Sequence, residues 1–367
     1  MKKISDNVFL RVFTVAFVSV ACSSLEPIVT CESRGEIRVI CGLQNPEDLA
    51  VVPGGRYIVV SQLGSIHDGG GRPGNIALLD LSTEKVSSLF PQAGIGTEPL
   101  IYQGPDWGDE NCPGPPTKAF NPHGIDLSTR TDGKQQLLAI NHGGRESVEF
   151  FELIENQKGI ELIWRGCAIA PDNSFLNDVV ALPNGGFLVS HMFPKSHGLT
   201  ALYHNIRAIL GSDTGHVFEW RRNRGFKQLA GTDAPFPNGI EVSENGDDIY
   251  LNVYHGNQVR RVSRASGKPL GEITVPHPDN ITWSDEGRLL VASHIARAIE
   301  VAKCFAIEKG ACPVGFEVVE IAPDLSKKKR LFQNQGPPMG AGTVAVSLGN
   351  ELFIGSFKAD RMLRVKR

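Results

Sequence analysis

The stretch Phe236-Pro-Asn-Gly-Ile240 belongs to a set of six stretches that share one frame. In each of them, a pair of polar or small residues precedes an apolar segment, a turn and a second apolar segment. The six pairs are Glu47-Asp48, His123-Gly124, Asn177-Asp178, Asn238-Gly239, Asp279-Asn280 and Gly342-Thr343. Repetition in a constant frame indicates that the chain consists of six copies of one structural unit.

Each unit has the pattern of a tight β-hairpin followed by further strands. Gly, Asn and Asp residues in the turns supply the positive φ angles that tight hairpins require. Additional strand-like runs bring each unit to about four strands. These runs are Asn75–Leu79, Val148–Leu153, His216–Trp220, Gln258–Val262 and Glu300–Phe305. We therefore predict an all-β fold, a six-bladed β-propeller with four-stranded blades around a central tunnel. An irregular β-sandwich is the alternative, but it would not explain the repeated frame.

The two ends of the chain are predicted to close the ring, with Ile37–Ile40 pairing with Met362–Val365 in the last blade. The longest insert, Gly94–Lys118, is rich in Gly, Pro and acidic residues and is predicted to form a loop over one face. No long stretch indicates an amphipathic helix, and the structure of Leu202–Leu210 remains open.

Residues 1–24 have the pattern of a secretory signal, with a basic start and an apolar run from Val8 to Ala21. Two processing routes are open, namely simple cleavage near Ala21–Ser24 or lipidation of Cys22 as in a lipoprotein. Residues 25–367 would then form the propeller domain. The protein is expected to be exported, either secreted, periplasmic or anchored to a membrane through Cys22.

The charge balance and the cysteines restrict the function further. The chain carries 37 Lys and Arg against 40 Asp and Glu, so no basic excess is present to neutralise the phosphates of a nucleic acid. Seven cysteines in an exported chain indicate disulfides, and Cys304 with Cys312 is the predicted pair. No C-x-x-C motif occurs, which argues against a structural zinc site.

The repeated pairs are rich in oxygen ligands, and they open the strands that should line the tunnel. Buried carboxylates without a counter-charge are unfavourable, and a hard cation removes that cost. Calcium accepts carboxylate and Asn carbonyl oxygens in flexible geometry. We predict one calcium ion near Glu47, Asn177, Asn238, Asp279 and Asn280, and a second, structural ion near Asp48 and Asp178. A polar plug satisfied by water and hydrogen bonds is the alternative.

His123 stands at the first position of its repeated pair, where other units have an oxygen ligand, but its side chain offers only nitrogen. His142 ends the next strand of the same unit. Adjacent antiparallel strands would bring both imidazoles to one side of the tunnel mouth, where two rings can relay a proton. Beside a metal site the pair indicates a general base, although a structural role is the alternative. The histidines His191, His255 and His294 also follow strand-like runs and are candidates for pocket-wall or structural roles.

Several of these stretches together resemble the calcium-dependent paraoxonase and arylesterase family of lactonases, within the wider gluconolactonase-like propellers. The resemblance rests on Phe120–Ile125, Leu138–His142, Val148–Phe151, Leu176–Val179 and Phe236–Ile240. It implies a six-bladed propeller with a catalytic and a structural calcium ion in its tunnel.

The resemblance also implies roles for single residues. The catalytic ion would be ligated by Glu47, Asn177, Asn238, Asp279 and Asn280, and the structural ion would lie among Asp48, Asp178 and the backbone of Ile125. His123 and His142 would shuttle protons, and Phe236 would line the substrate pocket.

The chain departs from that family in three respects. The insert Gly94–Lys118 looks unlike the family's usual loop. No cysteine follows Cys312, so Cys41 cannot form the family's disulfide to the C-terminal strand. The apolar helices that cover the family's active site are not evident, which leaves peripheral membrane association open.

The expected activity is hydrolysis of a small-molecule lactone or aryl ester, a carboxylic-ester hydrolase with calcium and no organic cofactor. The alternatives are a non-catalytic binding propeller and a sugar-lactone hydrolase. The latter needs a more polar pocket than Phe236 and Met192-Phe193 indicate.

Overall fold

The computed structural model describes residues 25–65, 72–91, 107–157 and 159–367. Within these ranges the chain forms six four-stranded antiparallel sheets arranged as blades, which confirms the predicted six-bladed β-propeller. The first strand of the described residues is β1 (Arg38–Cys41), which belongs to the last blade. The first three blades contain β2 (Pro46–Val51), β3 (Tyr57–Gln62), β4 (Asn75–Asp80), β5 (Lys85–Phe90), β6 (Pro122–Thr129), β7 (Gln135–Asn141), β8 (Ser147–Asn156), β9 (Gly159–Ile169), β10 (Leu176–Ala181), β11 (Phe187–His191), β12 (His216–Arg221) and β13 (Gly225–Gln228). The others contain β14 (Pro237–Val242), β15 (Asp248–Val253), β16 (Gln258–Ser263), β17 (Pro269–Thr274), β18 (Pro278–Trp283), β19 (Leu289–His294), β20 (Phe316–Ile321), β21 (Lys328–Asn334), β22 (Gly342–Leu348), β23 (Glu351–Ser356) and β24 (Arg361–Lys366).

The innermost strands of neighbouring blades lie side by side, so β2, β6, β10, β14, β18 and β22 form a closed ring. The predicted closure is confirmed, because β1 pairs with β24 in the sheet that also contains β22 and β23. Ile40 lies opposite Met362 in this register, and Val39 lies opposite Leu363. One sheet therefore holds both ends of the propeller.

A β-bulge occurs at the repeated pair in every innermost strand. In β14, Pro237 pairs with Val253 but Ile240 pairs with Leu251, so three steps along β14 match two along β15. One extra residue is likewise present in the other five innermost strands. A bulge bends its strand and re-aims the side chains beside it. The repeated frame in the sequence is therefore the signature of a bulge where each innermost strand begins.

Hydrophobic packing joins neighbouring blades face to face. Between the last and first blades, Ile58 and Val60 of β3 pack with Val344 and Phe353, and all four are fully buried. A strand with both faces covered can be apolar throughout instead of alternating. This explains why β3 is buried along its whole length.

The run Glu300–Phe305 is not a strand, so this part of the prediction is wrong. It lies in helix α2 (Ala298–Lys303) and a single 3-10 turn at Cys304–Ala306. The Glu300 carboxylate accepts the N–H of Arg297 at 3.0 Å and so starts the helix. The strand position beside β19 is occupied by β20.

A longer helix, α1 (Gly198–Ile209), covers most of the stretch whose structure the sequence left open. Its large apolar side chains have helical spacing but face solvent, and the expectation that no amphipathic helix is present is therefore wrong. They are Leu199, Leu202, Tyr203, Ile206 and Ile209, with exposed fractions of 47–85%. In the described ranges, neither helix is long and apolar enough to cross a membrane.

Three disulfides form among the described residues, namely Cys31–Cys41, Cys112–Cys167 and Cys304–Cys312. The predicted Cys304–Cys312 bond is confirmed, and Cys41 pairs close by instead of with the C-terminal strand. Disulfides persist in oxidising compartments, in agreement with export. The predicted signal, residues 1–24, lies outside the described residues.

The described part of the long insert, residues 107–118, is fastened to the outermost strand of the second blade. Cys112 is bonded to Cys167 in β9, and the Asp109 N–H donates to the Cys167 carbonyl oxygen at 2.8 Å. The first part of the predicted loop Gly94–Lys118 lies outside the described residues.

The fully buried Arg361 ties the N-terminal segment to the closing blade. Its guanidinium donates to backbone carbonyl oxygens that include those of Ile28 and Thr30. We expect Arg361→Met to lower the free energy of unfolding by about 3 kcal/mol, because the charged hydrogen bonds of its buried guanidinium to three backbone carbonyl oxygens are lost. Chemical denaturation measures this change. The control Arg38→Met removes a surface ion pair with Glu84 and should cost less than about 1 kcal/mol. Equal effects of the two variants would contradict this account.

Candidate metal centre and active site

Polar residues of the repeated pairs meet where the innermost strands begin. The members are Glu47, Asn177, Asn238, Asp279 and Asn280, and each is at most 7% exposed. Asn280 Nδ2 donates to Glu47 Oε1 at 2.9 Å, which joins the fifth blade to the first. Asn238 lies close enough to Asp279 to lower the pKa of its carboxyl group, so the fourth blade meets the fifth at this point. Asn177 is the second residue of β10, which lies beside β14 in the ring.

Most of these residues have a buried side-chain oxygen that accepts no hydrogen bond. Among the described residues, five side-chain oxygens are buried and unpaired, and four belong to the predicted ligand set. They are Glu47 Oε2, Asn177 Oδ1, Asn238 Oδ1 and Asn280 Oδ1, and the fifth is Asn252 Oδ1. Each unpaired buried acceptor costs about 1–3 kcal/mol. A concentration of them in one place is the pattern expected of a cation site.

Without a bound cation, ionisation of the carboxyl groups of Glu47 and Asp279 is unfavourable. Burial raises the pKa of Glu47 well above its ordinary value, and the charges of Asp48 and Asp279 raise it further. Burial also raises the pKa of Asp279 to about 8, although the neighbouring Asn238 amide opposes the change. A divalent cation would favour the ionised forms.

The donor set fits calcium. The buried unpaired atoms are carboxylate and amide oxygens, which are the ligands that calcium prefers. In the part of the chain that the structure describes, no three His, Cys, Asp or Glu side chains are grouped to hold a metal by themselves. A site here therefore depends on the asparagine carbonyl oxygens, which disfavours zinc.

The carboxylates of Asp48 and Asp178, at the second position of their repeated pairs, have a different set of hydrogen bonds. Asp48 Oδ1 accepts Leu49 N–H at 2.8 Å and Oδ2 accepts Ile125 N–H at 2.7 Å, which links the first and second blades. Asp178 accepts N–H groups of Val179 and Ile240 in the same way, which links the third and fourth blades. Burial still raises the pKa of Asp48, to about 7. Because the N–H donors already pair these carboxylates, a second ion near them and Ile125 stays a prediction.

The two predicted catalytic histidines are in contact. His123 Nδ1 lies 2.8 Å from His142 Nε2, and His123 Nε2 lies 3.7 Å from Glu47 Oε1. The pairing of β6 with β7 produces this contact, since His123 is near the start of one strand and His142 follows the other. Burial, together with the neighbouring His142, lowers the pKa of His123 well below 6.5. The ring is therefore neutral at neutral pH and able to accept a proton.

A carboxylate and an ammonium group that the sequence analysis missed lie next to this pair. His142 Nδ1 is 2.9 Å from Glu146 Oε1, and Glu146 Oε2 is 2.7 Å from Lys195 Nζ. Neither residue belongs to a repeated pair, and Lys195 follows in the next blade. Only the position of Glu146, four residues after His142, is a signal in the sequence.

Aromatic and apolar side chains form a wall beside the ligand group. Phe236, which precedes the Pro237-Asn238 step with a φ of +62°, packs its ring against Phe193 and Tyr254 at 5.5 and 5.4 Å between centroids. Phe193 in turn belongs to a buried cluster with Met192 and Phe175. The Asn177 amide donates to the Met192 sulfur at 3.3 Å, so the wall reaches the predicted ligands.

The three other histidines occupy distinct places. His191 Nδ1 accepts the Phe175 N–H at 3.0 Å, which is a structural role. The ring of His255 lies 5.3 Å from that of Phe236 and belongs to the wall. His294 Nδ1 lies 2.9 Å from the Tyr254 hydroxyl and 3.7 Å from Asp279.

Comparison with known proteins agrees with this architecture. No curated protein matches the chain significantly. A gluconolactonase from Xanthomonas campestris shares 14% identity and a TM-score of 0.50, over 94% of this chain and 95% of that chain. A luciferin-regenerating enzyme shares 14% identity and a TM-score of 0.51, over 93% and 96%. At such identities these structures show a common fold alone. A family model described as Arylesterase, however, matches residues 35–363, and the chain therefore belongs to the arylesterase family.

Proposed function

We propose that this protein is a calcium-dependent hydrolase of aryl esters and lactones. Family membership supports the hydrolysis of esters or lactones in general. The observation that carries the finer proposal is the group of buried, unpaired oxygens on Glu47, Asn177, Asn238 and Asn280. A neutral imidazole, that of His123, lies beside this group. A cation site next to a base is an arrangement suited to ester hydrolysis.

The chain's own residues supply binding and proton transfer. Glu47, Asn177, Asn238, Asp279 and Asn280 would hold the ion. When bound, calcium polarises the ester carbonyl and stabilises negative charge on its oxygen. As the oxygen of a water molecule bonds to the carbonyl carbon, its O–H bond breaks and His123 Nε2 accepts the proton. The Nδ1 proton of His123 passes to His142 Nε2, 2.8 Å away. The protons return when the ester C–O bond breaks and the alcohol leaves.

The wall favours an apolar substrate. The partly exposed ring of Phe236 lies near the ligand group and is backed by the buried rings of Phe193 and Tyr254, which suits an aryl ester or a lactone with an apolar substituent. A sugar lactone needs polar partners for its hydroxyl groups. A non-catalytic propeller would need the ligands but would not need the contact between His123 and His142.

We also propose that the protein is exported. The support is the signal-like pattern of residues 1–24 and the three disulfides. Cleavage would leave a secreted or periplasmic protein, whereas lipidation of Cys22 would anchor it to a membrane. Mass spectrometry of the mature N-terminus distinguishes the two.

Removal of calcium is expected to lower turnover by about 100-fold or more, because the charge that develops on the carbonyl oxygen loses its partner. Initial rates are measured with phenyl acetate, an alkyl-substituted δ-lactone and gluconolactone. The samples are the native protein, protein verified as metal-free after chelation, and the same sample after calcium is restored. Unchanged turnover without metal would contradict the proposal. A preference for gluconolactone would instead support the sugar-lactone alternative.

A further inference from the structure

The contact between His123 and His142 continues into a third side chain. Glu146 approaches His142 from the side opposite His123, with Oε1 2.9 Å from Nδ1. The carboxylate is also held by two other groups. Oε1 accepts the Leu176 N–H at 2.8 Å, and Oε2 accepts the ammonium of Lys195 at 2.7 Å. With its side chain only 10% exposed, Glu146 has a defined orientation.

Glu146 is ionised in this environment. Burial raises the pKa of its carboxyl group, but the interactions with His142 and Lys195 outweigh burial and hold that pKa below the ordinary value. The side chain is therefore a carboxylate at neutral pH, and it can accept hydrogen bonds but cannot donate them.

This restriction determines where the imidazole protons lie. A neutral His142 must carry its proton on Nδ1 to donate to Glu146, which leaves Nε2 as an acceptor. His123 must then carry its proton on Nδ1 to donate to His142. Its Nε2 retains a lone pair on the side of Glu47, 3.7 Å from that carboxylate. One carboxylate thus sets the tautomers of both rings.

We propose that Glu146 is the positioning residue of the His123–His142 pair, setting both tautomers and stabilising the imidazolium that forms when a proton reaches His142. The kinetic part of this inference rests on the proposed function, whereas the tautomers can be tested without any activity. A buried carboxylate behind a histidine has the same two effects in Ser-His-Asp triads, where its loss lowers kcat by about 10⁴-fold.

A purely structural role is the rival explanation. Glu146 binds the N–H of Leu176, which directly precedes the predicted ligand Asn177, and so joins the second blade to the third. The experiment must therefore separate lost orientation of His142 from lost packing. Glu152 provides a matched control, because it is also a carboxylate with a side chain 10% exposed and ion-paired, to Arg165, but it does not contact either histidine.

The first measurement is the tautomer of His142 in full-length protein labelled with ¹⁵N-histidine. Imidazole nitrogen shifts distinguish a proton on Nδ1 from one on Nε2, and the His142→Gln variant identifies the signals. We expect the Nδ1–H form in the wild type and in Glu152→Met, and loss of that form in Glu146→Met. Persistence of the Nδ1–H form in Glu146→Met, or an Nε2–H form in the wild type, would overturn the inference.

The second measurement is turnover of phenyl acetate with calcium present. Glu146→Met should lower kcat by about 100-fold or more with little change in KM, and Glu152→Met should stay within about twofold. In a His142→Gln background, Glu146→Met should cause no further loss, because Glu146 acts through His142. An additional loss in that background would show a structural role and overturn the inference.

Two precautions keep these outcomes distinguishable. If Glu146→Met does not fold, as judged by near-UV circular dichroism, Glu146→Gln removes the charge with less disturbance and undergoes the same kinetic comparison. If the wild-type protein hydrolyses no substrate with calcium, the proposed function fails, and the tautomer measurement alone decides the role of Glu146.

Discussion

The variant His123→Gln is expected to lower kcat for aryl esters and lactones by about 10²- to 10⁴-fold, the usual contribution of a general base. His123 is neutral because of its burial, and its Nε2 lies 3.7 Å from the predicted ligand Glu47. Glutamine has similar reach but no basic nitrogen. Calcium affinity, measured by isothermal titration calorimetry, should change little, because the unpaired oxygens of the ligand group remain.

The control for this variant is His216→Gln. His216 lies in β12, and its ring packs against His191 and Phe218, so its loss should leave kcat within about twofold. A kcat of His123→Gln within tenfold of the wild type would exclude His123 as the base. Loss of calcium binding in His123→Gln would instead assign His123 to the support of the metal site.

The variant Asp279→Asn is expected to weaken calcium binding by on the order of 100-fold, because affinity at oxygen sites follows the number of charged ligands. Turnover at low calcium should fall by a similar factor. The same variant should stabilise the metal-free protein near pH 8, since asparagine keeps the shape of the side chain but removes a buried charge. Calorimetry and thermal unfolding measure these opposite effects. A variant that binds calcium as tightly as the wild type would contradict the ligand assignment.

The pH dependence of the metal-free protein follows from the same residue. Burial raises the pKa of Asp279 from 3.8 to about 8, so between these values the folded state holds a proton that the unfolded chain has released. Its contribution to stability is complete below pH 3.8 and is lost as the pH rises through 8. The midpoint of thermal unfolding of metal-free protein should therefore fall from pH 5 to pH 8. Asp279→Asn should reduce this slope, and calcium should offset it, because the ion binds the deprotonated form.

Much of the fold was predictable because local sequence patterns specify its strands and turns. The hairpin turns and apolar runs indicated the blade number, and the patterns of Ile37–Ile40 and Met362–Val365 indicated the closing pair. Four of the predicted ligands stand at the first position of their repeated pairs, namely Glu47, Asn177, Asn238 and Asp279. In a propeller, equivalent positions of the repeated units lie around one axis. The repeated frame therefore predicts that these side chains approach one another.

Other features were not predictable, because they lie outside the repeat. The run Glu300–Phe305 is apolar enough for a strand, but the hydrogen bond between Glu300 and Arg297 and the pairing of β19 with β20 decide for a helix. Helix α1 presents its apolar side chains to solvent instead of packing them against the core.

The sequence and the tertiary structure determine different parts of the site around His142. The sequence by itself determined the ring of polar residues and the presence of two histidines in one blade, because the repeat relates those positions. Only the tertiary structure decided that Glu146 and Lys195 stand behind His142. These two residues come from connecting segments of different blades. No periodic rule relates such segments, and the packing of the second blade against the third alone brings them together.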